Sequence, residues 1–530
     1  MVPHQVKEYC PSVTLEDQHT KGAPAYCEYN VSEVKTMEKC WNLSPHERLL
    51  EAAKCKIDAA FEMLTKLASA QWQAGLATER QLREPPSLRR FYTDGDCSER
   101  RRQLLRWIFG GSSALAVLLL LEVSRGFCRT PLETAQLVAG ISWTLCKITV
   151  QYAARGFKPK FPRWTLRYEL LRGLMRSAVN MFGERIVDGQ HARVIRWHTA
   201  LFGTILGWLP RWQHGLRLES VRLNGLEHVW LKSSSVESSS RRNRKRLVVL
   251  FFHGGGYAVL SPRMYISFCS ALAGAIKQQF TSQGADDVVV DVFLANYRKV
   301  PEYQFPVPAE DAVRMYEYLL QHEKLEPSQI ILAGDSAGGG LVMSTLLRVR
   351  DGLSSWKSKL PLPLAAIVAC PLADLTGDED EIASQHCVLP LNMTAAILVS
   401  YHPTRDDPST WADASPVHCN LQGLPPVFLQ AAKLDTLFQH SLRLAAKAEA
   451  DGVTNWEVDV HEGVPHVFMV IPGYVLPYAH VAVQRMAAFA AKQFLNSLMG
   501  DNKEETSNNG IAELEINGVG LSNSVPSAAA

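Results

Sequence analysis

The sequence predicts an α/β protein built on a mostly parallel sheet covered on both faces. Three observations predict it. Between residues 246 and 498, short apolar runs alternate with helix-patterned segments, the order expected of crossover units. Two glycine-rich turns, HGGGY at 253–257 and GDSAGGG at 334–340, each follow directly on a buried-strand run. The 530 residues are 47% hydrophobic and 20% charged, enough apolar surface for a large core, so wholesale disorder and small disulfide-stapled folds are excluded.

Charge and cysteine usage narrow the classes further. The net charge is only +2, so no nucleic-acid partner is expected. The 11 cysteines include no C-x-x-C pair, which removes zinc ribbons and thioredoxin-type motifs. The first residues, MVPHQVKEYC, lack a basic region followed by an apolar one, so no cleaved signal peptide is expected.

In chain order, residues 1–103 read as a helical N-terminal extension. Ser44-Pro45-His46-Glu47 opens a helix, and Leu49, Ala53, Ile57, Phe61 and Leu64 continue it at helical spacing toward Pro85-Pro86. Residues 104–155 read as a membrane anchor or membrane-associated helices. Arg100-Arg101-Arg102 and Arg106 precede a charge-free run, 107–121, that Glu122 closes; counted from Leu104 it reaches about 18 residues, against a need of roughly 20 to span. A buried core helix is the competing reading. A second apolar stretch, Thr134 to Cys146, is too short to span and suits an interfacial segment. An anchor would place the chain at a membrane, that of the endoplasmic reticulum for example; without one the chain would be cytoplasmic. Asn30, Asn42 and Asn392 begin glycosylation sequons, which are too short to decide topology.

Residues 156–215 read as a helical region rich in Arg, Trp and Leu, and 216–498 as the strand-and-helix unit. SVRLNGLEHVWLK predicts two strands around a turn, and the Ser- and Arg-rich loop 233–246 predicts a hairpin tip rather than a nuclear signal. Further strands are predicted at 246–252, 288–297, 329–335, 362–370, 425–431 and 456–463. A last helix starts near His480, and residues 499–530 are expected to be a disordered tail.

The chemistry sits at the turns. Gly334-Asp335-Ser336-Ala337-Gly338 is a G-x-S-x-G between a strand and a helix, a turn so sharp that small residues must flank the serine. In His253-Gly254-Gly255-Gly256-Tyr257, consecutive glycines leave N–H groups bare for a developing oxyanion, with Gly254, Gly255 and Ala337 the expected donors. No Lys-Ser/Thr follows, which argues against a phosphate loop. A serine nucleophile needs a base and the base an orienting carboxylate. Asp435 lies just past a predicted strand and His466 just past the last one. His461 is the rival base but lies within the strand; Asp407 and Asp413 precede the strand, and Asp459 is expected to face solvent or a loop.

HGGGY, NYRKVPEYQFPVPAED at 296–311, GDSAGGG, D-x-L at 435 and H-x-F at 466 fall in the order of the hormone-sensitive-lipase family of α/β-hydrolases, which this chain resembles over roughly 246–498. The resemblance implies an esterase or lipase acting through an acyl-enzyme with a Ser336–His466–Asp435 triad. It also implies a loop-shaping rather than catalytic His253, and a helical cap, which 156–215 and the stretch from Thr376 to Pro416 would supply. Acyl transfer by such a triad needs no metal and no cofactor, and the expected substrates are lipophilic or short-chain esters, an anchor beside the site favouring membrane-partitioning ones. One departure is that Phe438-Gln439-His440 stands where the family often carries a second acid. The alternatives on the same fold are a non-catalytic receptor for small molecules and an amidase or transacylase using the same triad.

Overall fold

A computed structural model describes residues 126–234, 245–352, 359–377 and 381–517, with side chains of 381, 384 and 500–517 left out. The expected helix from Ser44 and the apolar run 104–121 lie outside the described residues. The chain divides into two units at Leu104/Leu105, and every described residue belongs to the second.

Its centre is an eight-stranded sheet: β1 Leu216–Leu223, β2 Leu226–Ser233, β3 Arg246–Phe252, β4 Val289–Ala295, β5 Ile330–Asp335, β6 Ala365–Ala369, β7 Val427–Leu434 and β8 Trp456–Pro465, in the order β1-β2-β4-β3-β5-β6-β7-β8. From β4 to β8 all pairings are parallel, while β1–β2 and β2–β4 are antiparallel. The period-2 side-chain alternation of a strand explains the double-sided core. Val248, Leu250 and Phe252 of β3 face one cluster and Leu247, Val249 and Phe251 the other. Both clusters are capped by helices because both strand faces are apolar.

The helices are α1 Pro131–Ala154, α2 Leu166–Phe182, α3 Gly189–Gln213, α4 Ile266–Ser282, α5 Val307–Gln321, α6 Ala337–Asp351, α7 Leu391–Tyr401, α8 Phe438–Ala450 and α9 Ala479–Asn517. Helices α5, α6 and α8 cover one sheet face through residues such as Tyr316, Leu341 and Leu444. Helices α4 and α9 cover the other through Leu272, Ile276, Met486 and Phe489. Side-chain oxygens start the first three helices: Thr130 accepts from the Glu133 amide, Thr165 from that of Tyr168, and Asp188 from those of Gln190 and His191.

Three expectations need correction. The predicted 13-residue apolar stretch is the middle of a longer helix, α1, that runs through Glu133 and Lys147 and packs on α2, where Ser177 donates to Thr144 at 2.9 Å. No described helix is long and apolar enough to cross a membrane. β4 lies between β2 and β3 in the sheet, so these two strands do not form the hairpin expected around 233–246. The hairpin turn is Asn224-Gly225, whose φ values of 51° and 75° match the two positive angles a tight turn between twisted strands requires. Finally, α9 continues past Gly500 to Asn517, into the region expected to be disordered.

Candidate active site

The parallel strands point their C-terminal ends the same way, so residues that follow them share one sheet edge. Ser336 follows β5, Asp435 follows β7 and His466 follows β8. Ser336 adopts φ 53° and ψ −122°, a conformation costly for a residue with a side chain. The glycines around it are sterically required. A Cβ on Gly334 would lie 2.5 Å from the Gly338 carbonyl oxygen, and one on Gly338 would lie 2.0 Å from that of Phe252. The turn can therefore form only where the motif supplies glycine at both flanks.

His466 and Asp435 are joined directly: Nδ1 lies 2.8 Å from Oδ2, and both side chains are buried. The other carboxylate oxygen, Oδ1, accepts the Leu437 amide at 2.9 Å, which fixes the acid's orientation. Nδ1 is committed to Asp435, so Nε2 is the nitrogen left to take a proton. The Ser336 amide donates to the Ala369 carbonyl at 2.9 Å, and the next residue, Cys370, places its sulfur within 4.8 Å of ligating atoms of Asp435 and His466. The serine turn and the His–Asp pair thus adjoin across the end of β6. Among the described residues no hydrogen bond joins the Ser336 hydroxyl to His466; such bonds commonly tighten only when substrate is bound.

The other candidates are engaged elsewhere. His461 lies within β8, its Nε2 2.7 Å from Asp459 and its Nδ1 3.0 Å from the Tyr478 hydroxyl. Asp459 was expected to face solvent or a loop, yet it is buried: Gln430 donates to it and Arg485 pairs with it, because β8 turns this side chain toward α9. Asp413 forms a two-point pair with Arg348 at 2.7 and 2.8 Å, and Asp407 caps the turn at Ser409. His253 stacks on Tyr297 and holds the Gly254 carbonyl 2.7 Å from Nδ1; burial pushes its imidazole well below the usual value.

The glycine turn differs from expectation at one donor. The Gly254 N–H points to Asp335 Oδ1 at 3.0 Å and to the Tyr265 hydroxyl oxygen at 3.1 Å, so it is spent inside the protein. The Tyr265 hydroxyl in turn donates to Asp335 Oδ2 at 2.8 Å. Burial raises the Asp335 carboxyl to about 6, against the downward pull of the Tyr265 bond and of nearby His466. Among the described residues no partner is found for the amides of Gly255 and Gly256, nor for that of Ala337 at the start of α6. Both glycines have positive φ, 107° and 59°, and a Cβ on either would strike the Val259 carbonyl or Ile397 of α7. Gly256, the third glycine of the run, is not among the donors expected from the sequence.

Comparison with known proteins decides the family. A family model described as alpha/beta hydrolase fold matches residues 249–470. The chain is 33% identical over 241 residues to an acetyl-hydrolase of Streptomyces hygroscopicus, covering 44% of this chain and 72% of that one. This chain belongs to the hormone-sensitive-lipase family of α/β-hydrolases. Neutral cholesterol ester hydrolase 1 of Rattus norvegicus is 29% identical over 152 residues, 28% of this chain and 35% of its own length. A solved esterase from the bacterial hormone-sensitive lipase family is 28% identical, with a TM-score of 0.48 over 62% of this chain and 98% of that one. Relatives named acetyl-hydrolase and esterase support carboxylic-ester hydrolysis as the activity.

Proposed function

We propose that the chain is a serine carboxylic-ester hydrolase in which Ser336, His466 and Asp435 act as nucleophile, base and orienting acid. The observation that carries the reading is the 2.8 Å His466–Asp435 bond at the sheet edge where the strained Ser336 turn ends β5. His466 Nε2 takes the serine proton as Oγ attacks the ester carbonyl. The tetrahedral oxygen is met by the Ala337 and Gly255 amides, with Gly256 in place of Gly254 as the third donor. Asp435 holds the imidazole with its proton on Nδ1 and stabilises the charged ring. His466 then protonates the departing alcohol, and water repeats the cycle on the acyl-enzyme.

Replacing Ser336 by Ala is expected to lower hydrolysis of a short-chain p-nitrophenyl ester by on the order of 10⁴ to 10⁶ in kcat. A fluorophosphonate probe should label the parent chain and not the variant. An unlabelled parent would instead indicate a receptor on the same fold, and near-normal turnover by the variant would dismiss the assignment. Acyl transfer to an added alcohol in preference to water would reveal a transacylase.

Lipophilic or short-chain esters are the proposed substrates, a class supported by the names of the acetyl-hydrolase and cholesterol ester hydrolase relatives. Membrane association is proposed from the apolar run 104–121 and from the outward Leu132, Trp143 and Val150 of α1. Alkaline carbonate extraction followed by protease protection tests it; recovery of the whole chain in the extract would sink it.

A further inference from the structure

We propose that Cys370, Asp435 and His466 form a latent inhibitory site for a thiophilic divalent cation, with zinc the representative ion. The proposal rests on the hydrolase reading for its effect on turnover, but not for binding.

The donor set is the starting point. Each of the three residues offers one ligand atom, and the three atoms lie within 4.8 Å of one another. A second thiol stands close behind: Cys387 Sγ is 3.9 Å from Asp435 Oδ1. Two sulfurs, an imidazole and one carboxylate suit zinc or cadmium and do not suit magnesium or calcium, which demand oxygen shells. All of these side chains are buried, so a cation reaching them along the Ser336 side would be held away from bulk water. Zinc takes sulfur at about 2.3 Å and nitrogen at about 2.0–2.1 Å, so the Cys370 sulfur must draw in toward an imidazole and carboxylate that already stand 2.8 Å apart to complete a tetrahedral face. The fourth position would go to water or to Cys387.

The chemistry of binding explains inhibition. The Cys370 thiol gives its proton to solvent as the sulfur–metal bond forms. If the metal takes His466 at Nε2, it occupies the lone pair that would receive the serine proton. If it takes Nδ1, the imidazole proton moves to Nε2 and the same lone pair is again lost. Coordination at Nδ1 also draws Asp435 from its bond to the ring and makes its carboxylate a ligand. The nucleophile is left without a base while the fold around it is unchanged.

The test uses the full-length chain. Ester hydrolysis is titrated with zinc chloride and then with excess EDTA, and each variant is compared with its own metal-free rate. Inhibition that EDTA reverses is expected in the parent, with the inhibiting concentration raised at least tenfold by Cys370→Ala. The exposed Cys146 serves as control, and Cys146→Ala should leave the zinc response as in the parent. A readout independent of turnover is cobalt(II) binding: a thiolate-to-cobalt charge-transfer band should appear in the parent and disappear in Cys370→Ala. Unchanged zinc sensitivity in Cys370→Ala, or no thiolate band in the parent, overturns the site. A band in a chain that hydrolyses no ester would retain the site and reject only the proposed activity.

Discussion

Asp335 ties the serine turn to the glycine turn, since its two oxygens hold the Gly254 amide and the Tyr265 hydroxyl. Its carboxyl is raised from the ordinary 3.8 to about 6 by burial. The folded state therefore binds this proton more tightly than the unfolded chain does. The resulting stability is present below about pH 4 and is lost as pH rises through 6, a contribution on the order of 3 kcal/mol. Asp335→Asn keeps an acceptor for Gly254 and cannot ionise. It should flatten the pH dependence of denaturant midpoints between pH 4 and 6 relative to the parent. At Gly338 the constraint is steric. Gly338→Ala would set a Cβ 2.0 Å from the Phe252 carbonyl oxygen, and backbone must move to admit it. A loss of about 1–3 kcal/mol is expected by chemical denaturation, with activity falling further because Ser336 is two residues away. The motif announced both glycines; nothing in the sequence announced Asp335 as more than the x of G-x-S-x-G.

Helix α2 and the turn before it clamp a loop and the end of β8 that flank the His–Asp pair. Arg172 donates to the carbonyls of His386 and Gln385, both at 2.5 Å, and Arg176 to that of Cys387 at 3.1 Å, next to Asp435. On the other side, Trp164 Nε1 donates to the Gly463 carbonyl at 2.8 Å and Arg163 to that of Glu462 at 2.5 Å, three and four residues before His466. Arg172→Met should remove two charge-assisted bonds, each worth about 1.5–3 kcal/mol at most. The expected result is a lower thermal midpoint together with reduced kcat. Arg193→Met is the control, because among the described residues Arg193 bonds the Gly189 carbonyl of its own helix and no other partner is found. Helical spacing and Arg-rich composition made this region recognisable as helix. Its partners were not legible, because each is a backbone carbonyl that any residue type would present.

The three proposed catalytic side chains come from strand ends separated along the chain and have value only together. Replacing Ser336 and His466 by Ala in one chain should therefore cost no more in kcat than the larger single loss, measured from initial rates. Strictly additive losses would show that the two residues act in separate steps. The sequence by itself determined the strands of the core and the order of Ser336, Asp435 and His466. Apolar runs and glycine turns are short-range signals, and a parallel sheet brings strand ends to one edge. Only the tertiary structure decided that Gly254 is consumed by Asp335, that Asp459 is buried with His461, and that Cys370 and Cys387 lie against Asp435. Those outcomes depend on contacts across sequence separations as large as 81 residues, where neither spacing nor residue type specifies the partner. Side-chain direction at a strand end is settled by the packing of its neighbours, which the chain acquires only on folding.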